Sequence, residues 1–164
     1  MALPNKVLPG FSATIYAQPG ATPTPLTIAQ LSLVASVSPI AVVGNLLPVE
    51  AIPAFGMDDA VASFSVAGSR QSDKIPVQAA PTSLTIVAAW NPADTNLLLM
   101  RADAYSGVID RTFVIEADEG ANAVYYAFNG RVGQFQIDAA PGAEAKCTFT
   151  IHPRGNQYGW SNNA

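Results

Sequence analysis

The sequence predicts a mainly β chain in which one helix lies on a sheet, and three observations carry that prediction. Thirteen prolines and twelve glycines among 164 residues cut the chain into short pieces, which suits strands joined by turns. Beyond residue 108, four strand-like runs follow one another across short loops, the spacing of antiparallel neighbours. One stretch only, Asn91 to Gly107, carries both the start and the stop of a helix.

Taken in order, Phe11 to Ala17 alternates as a strand, with Phe11, Ala13, Ile15 and Ala17 on one side and Ser12, Thr14 and Tyr16 on the other. Gln18 to Pro25 breaks it. Leu26 to Val37 is read as a further strand, less cleanly alternating. The run Leu26 to Val49 is apolar enough to raise a membrane span, but Gln30, three serines, Pro39, Gly44 and Asn45 interrupt it, so no membrane insertion is expected.

From about residue 38 to 76 the chain is irregular, punctuated by Pro39, Gly44, Pro48, Pro53, Gly56, Gly68 and Pro76. Long irregular segments in compact domains are usually functional or disordered, and this one carries apolar groups, Val61, Phe64 and Val66, that gain free energy by leaving water. It reads as a long loop or hairpin arm awaiting a partner surface; the alternative is an ordinary hairpin folded on its own body.

Ser83 to Trp90 is strand-like, and Asn91-Pro92 opens a helix over about residues 92–104, with Asn91 as the expected cap and Ser106-Gly107 as the stop. Leu97, Met100, Arg101 and Tyr105 share its stripe and Leu98 widens it, so Leu98→Asp is expected to unfold the subunit. Then come Ile109 to Glu116, Ala123 to Asn129, Arg131 to Asp138 and Ala145 to His152, with Asn129-Gly130 as a hairpin turn. In the last two, Phe135, Ile137, Cys147, Phe149 and Ile151 face a core, while Gln134, Gln136, Asp138, Lys146, Thr148 and Thr150 face water. Residues 1–155 form a single domain, and 156–164 a tail whose Tyr158 and Trp160 can anchor it.

Chemistry is sparse. The net charge of -4 disfavours a phosphate-gripping surface. His152 is the sole histidine and Cys147 the sole cysteine, so no disulfide, metal centre or cofactor site is expected, and Cys147 alternates onto the core face as an inert thiol. Nucleotide, hydrolase and metalloprotease motifs are missing, and the chain is not read as an enzyme.

From Ser72 to Gly155, SDKIPVQAAP precedes SLTIVAAW, which runs into NPAD, a helix ending RADAYSG, then VIDRTFVIEADEG, VYYAFNGRVGQFQIDAAPGAEA and CTFTIHPRG. In that order of parts the chain resembles the tail tube (major tail) proteins of long-tailed bacteriophages. The resemblance implies a β-sandwich or barrel of two packed antiparallel sheets flanked by one α-helix, self-assembling into stacked hexameric rings that form a hollow tube for DNA in transit. It implies a virion protein assembled in the bacterial host cytoplasm, with the tape measure, terminator and distal tail proteins as partners. A tail-terminator or neck ring protein of the same fold is the alternative, as is a non-enzymatic β-sandwich binding module. On this reading Gln134, Gln136, Asp138, Thr148 and Thr150 line the lumen, although Lys146 beside them is unfavourable to DNA passage. Leu46, Leu47, Val49, Ile52, Phe55 and Met57 form the ring-stacking arm, and deleting Gly44 to Gly68 is expected to leave a folded body that builds no tube.

Overall fold

A computed structural model describes residues 13–27, 45–65, 67–68, 72–117 and 124–162; most of the Leu26 to Val37 run lies outside them. The strands are β1 (Ala13–Ala17), β2 (Asn45–Leu46), β3 (Val49–Ala51), β4 (Met57–Ser65), β5 (Ser72–Pro81), β6 (Leu84–Ala89), β7 (Asp110–Ala117), β8 (Val124–Asp138) and β9 (Lys146–Asn162), with α1 (Thr95–Ser106) between β6 and β7. Seven of them form one antiparallel sheet in the order β2-β1-β7-β8-β9-β6-β3, and β4 pairs with β5 in a separate ribbon.

That order explains how one sheet supplies two packed layers. The long strands β8 and β9 pair along most of their length, but β7 accompanies only Val124 to Arg131 of β8, whereas β6 accompanies only Lys146 to Ile151 of β9. Register breaks around Ala127–Asn129 and Gly133–Gln136 let the pair bend, since an extra residue on one strand raises local twist. The sheet's two ends, β2 and β3, are separated in sequence only by Leu47 and Pro48. Seven residues, Asn45 to Ala51, therefore bridge the edges of β1 and β6, with the Leu47 amide donating to the Ile15 carbonyl at 2.9 Å.

Alternation places the core. Ile15 and Ala17, Leu84, Ile86 and Ala88, Phe113 and Ile115, Tyr126, Phe128 and Val132, and Cys147, Phe149 and Ile151 all turn inward and pack together with Leu47, Leu97 and Met100. Directly paired Phe113 and Phe128 stack at 5.7 Å. Fully burying such side chains contributes about 1.5–3 kcal/mol each before ordering costs. A second cluster, Val114, Tyr125 and Ala127 with Tyr16 and Leu26, covers the other face of β7 and β8. Its strap is residues 18–27, held by Leu26 N to Thr112 Oγ1 (3.0 Å), Thr112 Oγ1 to Asn129 Oδ1 (2.7 Å) and Asn129 Nδ2 to the Leu26 carbonyl (2.9 Å).

Four local expectations are corrected. The helix cap is Asp94, whose Oδ1 accepts from Asn96 N and Leu97 N; Asn91 instead closes a turn by accepting from Ala93 N at 2.9 Å. Gly107 ends the helix in the left-handed region at φ 66°, its N–H donating to the Asp103 carbonyl, as expected of a terminal glycine. The buried stripe is Leu97, Met100 and Asp103, while Leu98 and Tyr105 are exposed, because the helix is rolled toward the side on which Asp103 meets Arg111. Leu98→Asp is therefore not a core disruption.

Asn129-Gly130 makes no turn: β8 runs straight through it, Asn129 opposite Thr112 and Gly130 opposite Arg111. A Cβ on Gly130 would lie 2.9 Å from Ile151 Cγ2 and 3.4 Å from Phe113 Cδ2, so glycine is required for close packing between strands. The tail, expected to be anchored, continues β9 to Asn162 and pairs with Val124 to Asn129.

Candidate assembly surfaces

The polar face proposed from the sequence is the outward face of β8, β9 and β6. Pairing puts Gln136 opposite Thr148 and Asp138 opposite Lys146, and on the other side of β9 puts Thr148 opposite Val87 and Thr150 opposite Thr85. Gln134, Gln136 and Asp138 are exposed and Thr148 is half-buried. Thr150 is only 7% exposed, because Gln134, at φ 54° in the bulge, brings its Oε1 to 3.5 Å from Thr150 Oγ1. Four of the five candidates thus share an accessible surface, and Thr150 lies beneath it.

Lys146, the residue that argued against this face, does not stand alone. Its Nζ lies 2.9 Å from Glu50 Oε1 on β3, and the hydrogen bond and charge of Glu50 raise its pKa. Both side chains remain about 40% exposed, so the pair adds little stability, yet it leaves the face with two carboxylates, Glu50 and Asp138, against one ammonium.

The arm is a two-stranded ribbon, β4 with β5, paired from Met57–Pro81 at its base to Ser65–Ser72 at its far end. It prolongs the β3–β6 pair outward, Thr82 N donating to the Gly56 carbonyl at 3.1 Å across the junction. Val61 is 55% and Phe64 46% exposed. Of the six residues assigned to stacking from sequence, only Met57 belongs to this ribbon. Leu47 is buried in the core and Val49, Ile52 and Phe55 pack against it, Phe55 with its ring 5.2 Å from that of Tyr126. Those four line the seam between β1 and β6, Leu47 buried and Val49, Ile52 and Phe55 partly buried. Leu46 lies in β2 and Met57 begins β4. Sequence reading missed the distinction because apolar seam and apolar arm are adjacent in the chain; only the pairing of Asn45–Ala51 to β1 and β6 separates them.

No catalytic constellation accompanies these surfaces among the described residues. Ser83 Oγ and His152 Nδ1 are 3.0 Å apart on the exposed surface. No group of three or more metal-ligating side chains occurs among the described residues. Trp90 packs edge-on to Phe135 at 5.8 Å where β6 meets the helix. Cys147 is fully buried, and burial pushes its thiol pKa up. Among the described residues no helix is long and apolar enough to cross a membrane.

No family model matches the chain, and no curated protein matches it. Its fold is shared with solved structures. A chain of the anti-feeding prophage baseplate superposes with a TM-score of 0.66 at 12% identity, over 97% of this chain and 98% of that one. A chain of the PVC extracellular contractile injection system's sheath/tube terminator gives 0.63 at 10% identity, over 95% and 98%. The SPP1 tail tube gives 0.54 at 11% identity, over 90% and 76%. The chain has the tail-tube fold.

Proposed function

We propose that the chain is a structural subunit of a phage-type tail tube, without enzymatic activity, that assembles head to tail into stacked hexameric rings enclosing a channel for DNA in transit. The observation that carries this reading is the β4–β5 arm, a ribbon held outside the sheet with Val61 and Phe64 in water, on a chain that superposes over 90–97% of its length on tube, terminator and baseplate components. A free arm and a separate body surface make contacts of the heterologous kind, which close as rings or extend as stacks. The mixed-sign but net acidic face of Glu50, Gln136, Asp138, Lys146 and Thr148 is the proposed lumen wall, since unpaired cations would hold phosphates. Partners on this reading are further copies of the chain, with tape measure, terminator and distal tail proteins at its ends, in a virion tail or extracellular particle assembled in the host cytoplasm.

A second reading, a terminator or neck ring of the same fold, is supported by the likeness to the sheath/tube terminator chain and to a chain of the anti-feeding prophage cap; it predicts single rings rather than tubes. The test is replacement of residues 58–80 by a short turn. Because Leu47 and Phe55 belong to the core, this narrower excision, unlike removal of 44–68, keeps the body folded. The variant is expected to melt like the parent and form no tubes in electron micrographs. Tubes of parental length from it overturn the arm's role.

A further inference from the structure

Resting on the tube reading, we propose that the receptor for the arm is the outer face of α1 on a second copy of the chain. The large exposed hydrophobic side chains fall mainly into two groups among the described residues: Val61 and Phe64 on the arm, and Leu98, Tyr105 and Val108 on and after the helix. On the helix, Leu98, Arg101, Ala102 and Tyr105 line a shallow open groove of about 270 Å³, and the Arg101 guanidinium lies 5.5 Å from the Tyr105 ring centre. Neither group touches the core, so each leaves apolar area in water that a partner removes.

Charge selects the pairing. Arg101 is the ionisable side chain the helix presents outward, because Asp103 is turned in and neutralised by Arg111. Residues 57–81 carry Asp58, Asp59 and Asp73 against Arg70 and Lys74, a net charge of -1, and Asp73 is paired directly with Phe64. An acidic apolar ribbon therefore meets a basic apolar groove, whereas two arms or two helix faces would juxtapose like charges. Position agrees. The arm enters β6 at Leu84 and the helix begins beyond its other end at Ala89, about 20 Å away at the rise of a strand. An arm leaving one end of a subunit is thus directed toward the helix of the next subunit in a head-to-tail stack.

The experiment mixes two otherwise full-length variants in a Cys147→Ala background, Phe64→Cys and Leu98→Cys, under mild oxidation. The expected result is a disulfide-linked dimer containing one of each, several-fold more abundant than either like-with-like dimer and reduced at least fivefold by Arg101→Glu in the Leu98→Cys partner. Asp73→Lys in the arm partner, at the position paired with Phe64, restores it. Equal or lower yield of the mixed dimer than of like-with-like dimers overturns the proposal. Parental tubes that form without the mixed crosslink refute this docking site while leaving the tube reading intact; a protein that crosslinks but never stacks supports the docking site and refutes the tube.

Discussion

Asp103 Oδ2 lies 2.6 Å from Arg111 Nε, with Oδ1 3.0 Å from Arg111 Nη2, and both side chains are excluded from solvent. Arg111 also donates through Nη1 to the carbonyls of Gln18 and Gly20. One guanidinium thereby joins the helix, β7 and the strap that covers the sheet. A buried charge stripped of its partner costs about 3–5 kcal/mol, whereas replacing both partners by apolar groups is often close to neutral. Asp103→Ala is expected to lower the stability of the unassembled subunit by about 3–5 kcal/mol in urea titrations, and Asp103→Leu with Arg111→Met is expected to cost less than the single change.

Gly130 makes the opposite kind of demand. Gly130→Ala sets a methyl 2.9 Å from Ile151 Cγ2 and close to the His152 carbonyl, and overpacking of this kind costs about 1–3 kcal/mol. Gly142→Ala meets open space and is strained only by its φ of 78°. Thermal melts should show the loss at 130 exceeding the loss at 142.

The seam and the helix face separate cleanly by mutation. Leu47→Ala empties a buried position in the closing strand and is expected to cost about 2–5 kcal/mol. Leu98→Asp lies on the exposed helix face and is expected to change subunit stability by less than about 0.5 kcal/mol, the range for surface substitutions, while blocking assembly. Circular dichroism melts beside sedimentation profiles distinguish the two.

Cys147 gives the pH dependence its sign. Burial raises its pKa, outweighing the lowering by the backbone at Ala88. The unfolded thiol ionises first, near pH 8.5, so stability is unaffected below that pH and falls as pH rises toward the folded pKa. Cys147→Ala is expected to flatten that alkaline decline in urea titrations from about pH 8 to pH 10, and the parent thiol should react slowly with an aromatic disulfide at pH 8 until urea is added.

Strand faces were legible along most of the sheet, because period-two alternation is a local signal; Phe149 and Ile151 against Lys146 and Thr148 is the clearest case, whereas Ile137, expected in the core, is 43% exposed beyond the β8 bulge. What escaped is long-range. Asp103 and Arg111 look like surface charges in sequence, and only the packing of helix on sheet makes them a buried pair. Asn129-Gly130 has turn chemistry, but Ile151 and Phe113 supply a different reason for the glycine. Leu47 resembled part of an arm, since nothing local announces that β2 and β3 close opposite ends of one sheet. Of the residues read as water-facing, Gln134, Gln136 and Asp138 are exposed and Thr148 half-buried, while Thr150 is hidden by a bulge that alternation does not anticipate.

Whether this subunit builds a hollow tube is decided by cryo-electron microscopy of the concentrated, purified protein. Stacked-ring filaments are expected, with Gln136, Asp138 and Thr148 facing an open channel and each β4–β5 arm seated on a neighbouring subunit; monodisperse monomers at every concentration, or filaments with those residues on the outer wall, refute the tube.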